Sequence, residues 1–141
     1  MRILSFFSIC FILSLFQISC STDMGSSGDD SGCPDISGFY SGSYECVQGV
    51  TGLDLTIRQE DCSLAATFEF YAVELNPDVP SGSFNMIGQI GSTGLFDLEG
   101  TTWISQPEGY IMTDILGELL NNKEDQLRVT ICGNPVVIMR Q

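Results

Sequence analysis

The chain has 141 residues, with 18 acidic and 5 basic side chains, a net charge of −13, six cysteines and no histidine. That length fits a single folding unit and leaves no room for a second core. The charge speaks against nucleic acid, whose phosphates are held by Lys and Arg, and the missing imidazole removes Ser-His-Asp, Cys-His and histidine-rich metal chemistry.

Met1 and Arg2 give a short positive start to an apolar stretch over 3–18 that is interrupted only by Ser5, Ser8, Ser14 and Gln17. This is the pattern of a signal peptide rather than a permanent span, since a Ser, Gly and Asp segment follows it without a basic stop-transfer cluster. The Ser19-Cys20 junction resembles a bacterial lipoprotein cleavage site, with Gln17 where Leu is usual. The resemblance implies that residues 1–19 are removed and that Cys20 carries lipid, placing the protein in the bacterial cell envelope, with the outer membrane as the expected address. Cleavage after Ser21, giving a secreted soluble protein, is the alternative. Removal of 1–19 takes away Arg2 and no acid, so Arg58, Lys123, Arg128 and Arg140 face all 18 acids at a balance of −14. Such a chain is not drawn to an anionic leaflet, and its membrane attachment has to come from the acyl chains. Residues 20–32, lacking aromatic and branched apolar side chains, read as a lipidated N-terminus and a flexible acidic linker ahead of a folded domain at 33–141.

In that domain the dominant hydrophobic period is two. The first strand is expected at 37–46. Leu53, Leu55 and Ile57 alternate with polar neighbours in the second, and Leu64, Ala66, Phe68 and Phe70 in the third. Further strands are expected at 83–90, 94–99, 110–119, 126–132 and 136–140. Turn residues separate them at 49–52, 60–63, 76–82, 91–94, 121–125 and 133–135. The segment 111–120 also fits a helical face, but Gly117 within it favours strand. Eight short strands with hairpin-length connections predict an all-β fold, a single antiparallel up-and-down β-barrel, with a two-sheet β-sandwich as the alternative.

With Cys10 in the signal and Cys20 lipidated, Cys33, Cys46, Cys62 and Cys132 remain, an even number that predicts two disulfides in an exported chain. In an up-and-down meander, strand parity puts Cys33 and Cys62 at one end and Cys46 and Cys132 at the other. The expected bonds are therefore Cys33–Cys62 and Cys46–Cys132. A zinc site is the weaker reading, because there is no C-x-x-C pair.

Without histidine, catalysis would rest on carboxylates such as Asp97 with Glu99 or Glu60 with Asp61. Acids that alternate along a strand or sit in a turn are more simply solvated surface groups. No D-x-D-x-D-G spacing points to calcium, and no cofactor is expected. Trp103 and Tyr110 offer a stacking surface, although a lone Trp more often plugs a core. Gly38 and Gly42 alternate with Tyr40 and Tyr44 in the first strand, an arrangement that serves barrel closure more often than binding.

The runs 44–57, 76–77, 79–84 and 103–112, read as YECVQGVTGLDLTI, NP, VPSGSF and WISQPEGYIM, resemble small exported bacterial β-domains of unknown function, which implies one β-domain and transfers no activity. Gly38-Phe39-Tyr40 is similar to the G-x-W opening of lipocalin and avidin barrels, with Tyr where Trp is usual. The sequence of lipid anchor, tether and acidic disulfide-bonded barrel also resembles membrane-bound lysozyme inhibitors. Two non-enzymatic functions follow. A small apolar ligand would need a cavity lined by Phe68, Phe70, Phe84 and Trp103, whereas a basic protein partner such as lysozyme would need a filled core and an acidic face.

Overall fold

The computed structural model describes residues 32–120 and 125–141. The signal sequence, Cys20 and the linker up to residue 31 lie outside the described residues. Eight strands form: β1 Gly38–Cys46, β2 Gly49–Glu60, β3 Ser63–Tyr71, β4 Gly82–Ile90, β5 Leu95–Ser105, β6 Ile115–Leu119, β7 Gln126–Ile131 and β8 Asn134–Arg140. Each pairs antiparallel with the next, and β8 returns to β1 to close a barrel. The closed meander, rather than a two-sheet sandwich, is the architecture. No helix long and apolar enough to cross a membrane occurs among the described residues.

Alternation explains the core. In β3, Leu64, Ala66, Phe68 and Phe70 point inward and are buried, while Ala65 and Glu69 are exposed. The register carries this face from strand to strand: Leu55 stands opposite Phe68, Phe68 opposite Phe84, and Ala66 opposite Met86. A one-residue slip would turn every one of these side chains to water, so the apolar pattern itself fixes the register. Small inward residues make room for large ones. Gly117 lies directly beneath the ring of Phe96, leaving no space there for a Cβ.

We call the end carrying the Val47-Gln48 hairpin and the Cys132-Gly133 turn the upper end, and the end carrying the Asp61-Cys62 turn the lower end. The chain closes the lower end with its own N-terminal segment. Ile36 is fully buried there, and Gln59 accepts from the Ile36 amide at 2.9 Å and donates to the carbonyls of Pro34 at 3.1 Å and Asp61 at 2.7 Å. Cys33 is bonded to Cys62 with a Cα separation of 5.6 Å.

The β1–β8 seam is short, with only Tyr40–Arg140 and Ser41–Met139 in register. It is fastened at both ends. Below, the Arg140 guanidinium donates to the Tyr40 hydroxyl at 2.8 Å and lies over its ring, while that hydroxyl donates to the Ile36 carbonyl at 3.0 Å. Above, Cys46 is bonded to Cys132 at a Cα separation of 5.7 Å, and the Asn134 amide donates to the Glu45 carbonyl at 2.9 Å. Both disulfides are those that strand parity requires. Gly38 and Gly42 also belong to the seam: Gly38, at a φ of 152°, would press a Cβ on the Arg140 Nε at 3.0 Å, and Gly42 would press one on the Ile138 Cγ2 at 2.9 Å.

Several boundaries differ from the sequence expectation. Residues 49–52 belong to β2, because a two-residue turn at Val47-Gln48 suffices. Cys132 lies in a turn with Gly133, both at positive φ as a tight hairpin requires, so Asn134 and Pro135 already belong to β8. The largest departure concerns β5 and β6. β5 runs on to Ser105 and β6 shrinks to five residues, leaving 106–114 as a connection instead of a strand beginning at 110. Only Leu95 to Leu98 pair with β6. Beyond them, register shifts against β4 leave Thr101 and Ile104 unpaired as bulges, which bend the strand away from its later neighbour.

Candidate ligand pocket at the upper end

The two β5 bulges set up the site. Phe96, Leu98 and Gly100 face inward at even positions, and the extra residue at Thr101 reverses the parity so that Trp103 faces inward opposite Phe84. Trp103 then packs edge-on against Phe84 at 5.1 Å and Phe70 at 6.4 Å between ring centres. Strand β5 thus carries Trp103, which the sequence reading put in a connection.

The 106–114 connection folds back over the open end. Pro107 to Tyr110 make a turn in which the Tyr110 amide donates to the Pro107 carbonyl at 3.2 Å and Gly109 takes a φ of 79°, the left-handed conformation that a type II turn needs at its third residue. The Gln106 amide donates to the Tyr110 carbonyl at 2.9 Å, and the Asp114 carboxylate accepts from the Gly100 amide at 3.1 Å. Gly100 lets the connection lie close, since a Cβ there would stand 2.8 Å from the Met112 Cβ. Held in this way, the Tyr110 ring stacks on Phe70 with centres 5.4 Å apart and planes within 11°.

Between this flap and the β1–β2 hairpin lies a pocket of about 870 Å³, open to solvent. That volume is within the range of sites that take small molecules. Beneath it lie the buried rings of Phe68, Phe70 and Phe84, with Phe68 and Phe84 stacked at 5.0 Å and Tyr44 edge-on to Phe68 at 5.9 Å. Tyr110 and Met112 line one wall, and Val47 and Ile111 stand on the rim at 107% and 88% exposure, apolar side chains held in water rather than packed. Burial, with Tyr110 nearby, pushes the Tyr44 phenol up to about 12, against hydrogen bonds to Gln48 and Thr51 that act the other way. The phenol therefore stays neutral near neutral pH, a fixed polar group in an otherwise aromatic wall.

Of the four residues expected to line a cavity, Phe68, Phe70 and Phe84 border this hollow but are 0–3% exposed and belong to the packed core beneath it, while the half-buried Trp103 does not border it and packs edge-on against Phe70 and Phe84. Tyr110, paired with Trp103 in the sequence reading as a stacking surface, stacks on Phe70 instead. Tyr44, Met112, Val47 and Ile111 went unread as lining residues. The signal available for the last two was a bulky apolar residue inside a turn, in Cys46-Val47-Gln48-Gly49 and in Gly109-Tyr110-Ile111.

The carboxylates considered for acid–base work lie elsewhere. Asp97 and Glu99 are exposed on the outside of β5, and Glu60 and Asp61 are exposed at the lower turn, at the end opposite the pocket. Asp54 and Glu69 face each other across β2 and β3 beside a shallow outer hollow, where the Tyr71 hydroxyl donates to Asp54 at 3.2 Å. No group of three or more Cys, Asp or Glu suited to a metal is assembled among the described residues. Comparisons with protein-family models, curated proteins and solved structures returned no match.

Proposed function

We propose that this chain is a non-enzymatic lipoprotein of the bacterial envelope, anchored through Cys20, whose barrel binds a small apolar ligand at its upper end. The observation that supports it is the open hollow of about 870 Å³ at the upper end, whose lining includes Val47 and Ile111 with their apolar side chains held in water at 107% and 88% exposure. An apolar surface of this kind gains free energy by leaving water, at about 25 cal/mol per Å² removed. The chain's own device for covering it, the 106–114 flap, stops at the wall.

The ligand test is titration with the neutral apolar dye N-phenyl-1-naphthylamine. Saturable binding of one dye per barrel is expected, insensitive to salt because apolar burial is not screened. Tyr110→Ala should weaken it. Absence of saturable binding to the folded protein would remove the ligand reading and return attention to an acidic face for a basic partner. Anchoring is tested separately by labelling cells with radioactive palmitate. Cys20→Ala should abolish the label and release the protein from the membrane fraction; a labelled Cys20→Ala protein would refute the anchor.

A further inference from the structure

A second hollow lies on the outer wall of the barrel, and its lining is polar. Asp54 of β2, Glu69 of β3, Ser83 of β4 and Ser105 of β5 stand in direct cross-strand register, one hydrogen-bonding side chain per strand, and all border this hollow of about 290 Å³. The row runs about 14 Å across the sheet at the usual inter-strand spacing. Beside it lies Tyr71. A Cβ at Gly52 would fall on the Cε2 of its ring, with Cδ2 and Cζ at 2.7 and 2.8 Å, so the ring meets the strand with its face and not its edge. Gly52 lets the ring lie flat, and the Tyr71 hydroxyl, donating to the Asp54 Oδ1 at 3.2 Å, holds it there. With one face on the sheet, the half-buried ring offers the hollow its other side.

The carboxylates make a separate point. Asp54 and Glu69 face each other with no Lys or Arg in the lining, and among the described residues Glu69 has neither a hydrogen bond nor an ion pair. Like charges directly opposite on a sheet cost stability. The pair is a burden on the fold, held where donors from a ligand can reach it.

We propose that this outer hollow is a glycan site, taking an uncharged oligosaccharide that lies across β2 to β5 with one sugar ring on Tyr71. The assignment does not depend on the upper pocket. A pyranose has an apolar C–H face that suits the open side of a flat aromatic ring, and a girdle of hydroxyls that need acceptors. Ionised carboxylates only accept, and their bonds from hydroxyls are short and strong. Ser81, Ser83 and Ser105 donate as well as accept, so they match sugar hydroxyls in either sense. A purely apolar ligand would strip water from this row and return no hydrogen bonds. An acidic sugar would bring a further negative charge to two that have no counter-ion.

The test is amide NMR of the isotope-labelled, disulfide-bonded chain, titrated to about 10 mM, where millimolar binding is visible. The probes are cellotriose, maltotriose and chitotriose, with trigalacturonate as the acidic comparator. Saturable shifts are expected at Asp54, Glu69, Tyr71, Ser83 and Ser105 with at least one neutral trisaccharide, and none with trigalacturonate. Tyr71→Ala should abolish them, whereas Tyr71→Phe keeps the ring face and should stay within about threefold of the parent affinity. Glu69→Gln should weaken binding about tenfold and at the same time raise the urea midpoint, an opposition that a merely structural carboxylate would not show. Asp97→Asn, on the exposed face of β5 nearer the lower end, should change neither. Absence of shifts along this row with every neutral trisaccharide, or equal binding of trigalacturonate, would overturn the glycan site. Calcium chloride shifting the same residues while no sugar does would make it a cation site and overturn the proposal equally.

Discussion

The two ends of the barrel are built from the same strands and finished in opposite ways. At the lower end the chain plugs its own opening with Ile36, fixes the plug through both ends of the Gln59 amide, and seals the seam with Arg140 on Tyr40. At the upper end the 106–114 flap leaves a hollow open to solvent, with the apolar side chains of Val47 and Ile111 exposed on its rim. The difference teaches where stability and binding reside. Closing one end completely supplies the packing that allows the other to remain open.

The largest effect should come from the disulfides, which fasten the two ends over different spans. Cys46–Cys132 joins residues 86 apart in sequence and Cys33–Cys62 joins residues 29 apart. By loop entropy their removal costs about 4.6 and about 3.6 kcal/mol respectively, the former comparable with the whole stability of a small domain. Urea titrations of Cys46→Ala/Cys132→Ala and Cys33→Ala/Cys62→Ala should therefore show the upper pair to matter more. The reverse order would mean that the lower plug, not the seam, governs unfolding.

Next in size are substitutions that separate the two roles. Leu127→Ala, fully buried low in the barrel, should cost about 2–5 kcal/mol, and the surviving folded fraction should bind ligand normally. Tyr110→Ala, partly exposed on the flap, should cost under about 1 kcal/mol and still reduce affinity about tenfold. If the Tyr110 variant unfolds as readily as the Leu127 variant, the flap belongs to the core and the contrast between the ends collapses. Arg140→Met should lie between them. It removes a charged donor from the Tyr40 hydroxyl and should cost about 1.5–3 kcal/mol by thermal melting, without touching the pocket.

The smallest effect is alkaline. Folding raises the Tyr44 phenol from 10.0 to about 12 and raises Tyr40 as well, in both cases chiefly through burial. The folded state then holds these protons more tightly than the unfolded chain. Their contribution to stability is present in full below pH 10 and is lost as pH rises through the folded values, about 12 for Tyr44. Tyr44→Phe should flatten the fall in urea midpoint above pH 10, and an unchanged slope would show that the upper phenol is already wet.

How much of this could be read from the residues depends on whether a feature follows the period. Leu53 to Ile57 and Leu64 to Phe70 alternate without interruption because each strand has one face on the core, and they announced themselves. The disulfides followed from counting strands, since an up-and-down order gives each turn a definite end. The pocket was half legible. Phe68, Phe70 and Phe84 stood in the alternating pattern, whereas the flap depends on two bulges in β5 that reverse which residues face inward. A bulge has no composition of its own here: nothing in Thr101 or Ile104 distinguishes them from residues in register. The apparent strand at 110–119 misled for a related reason, because Tyr110 and Met112 are apolar to cover the pocket wall, not to join the ladder.

The pairing of β8 with β1 also sets an order of events for a chain that emerges from its N-terminus. Seven strands can zip up as they appear, each against the one before, yet β1 keeps one bare edge until residues 134–140 arrive. Such an edge is a template for strands of other molecules. The barrel thus depends on its last segment to stop being adhesive, and a C-terminal truncation before β8 should produce a sticky, oligomerising species rather than a slightly smaller monomer.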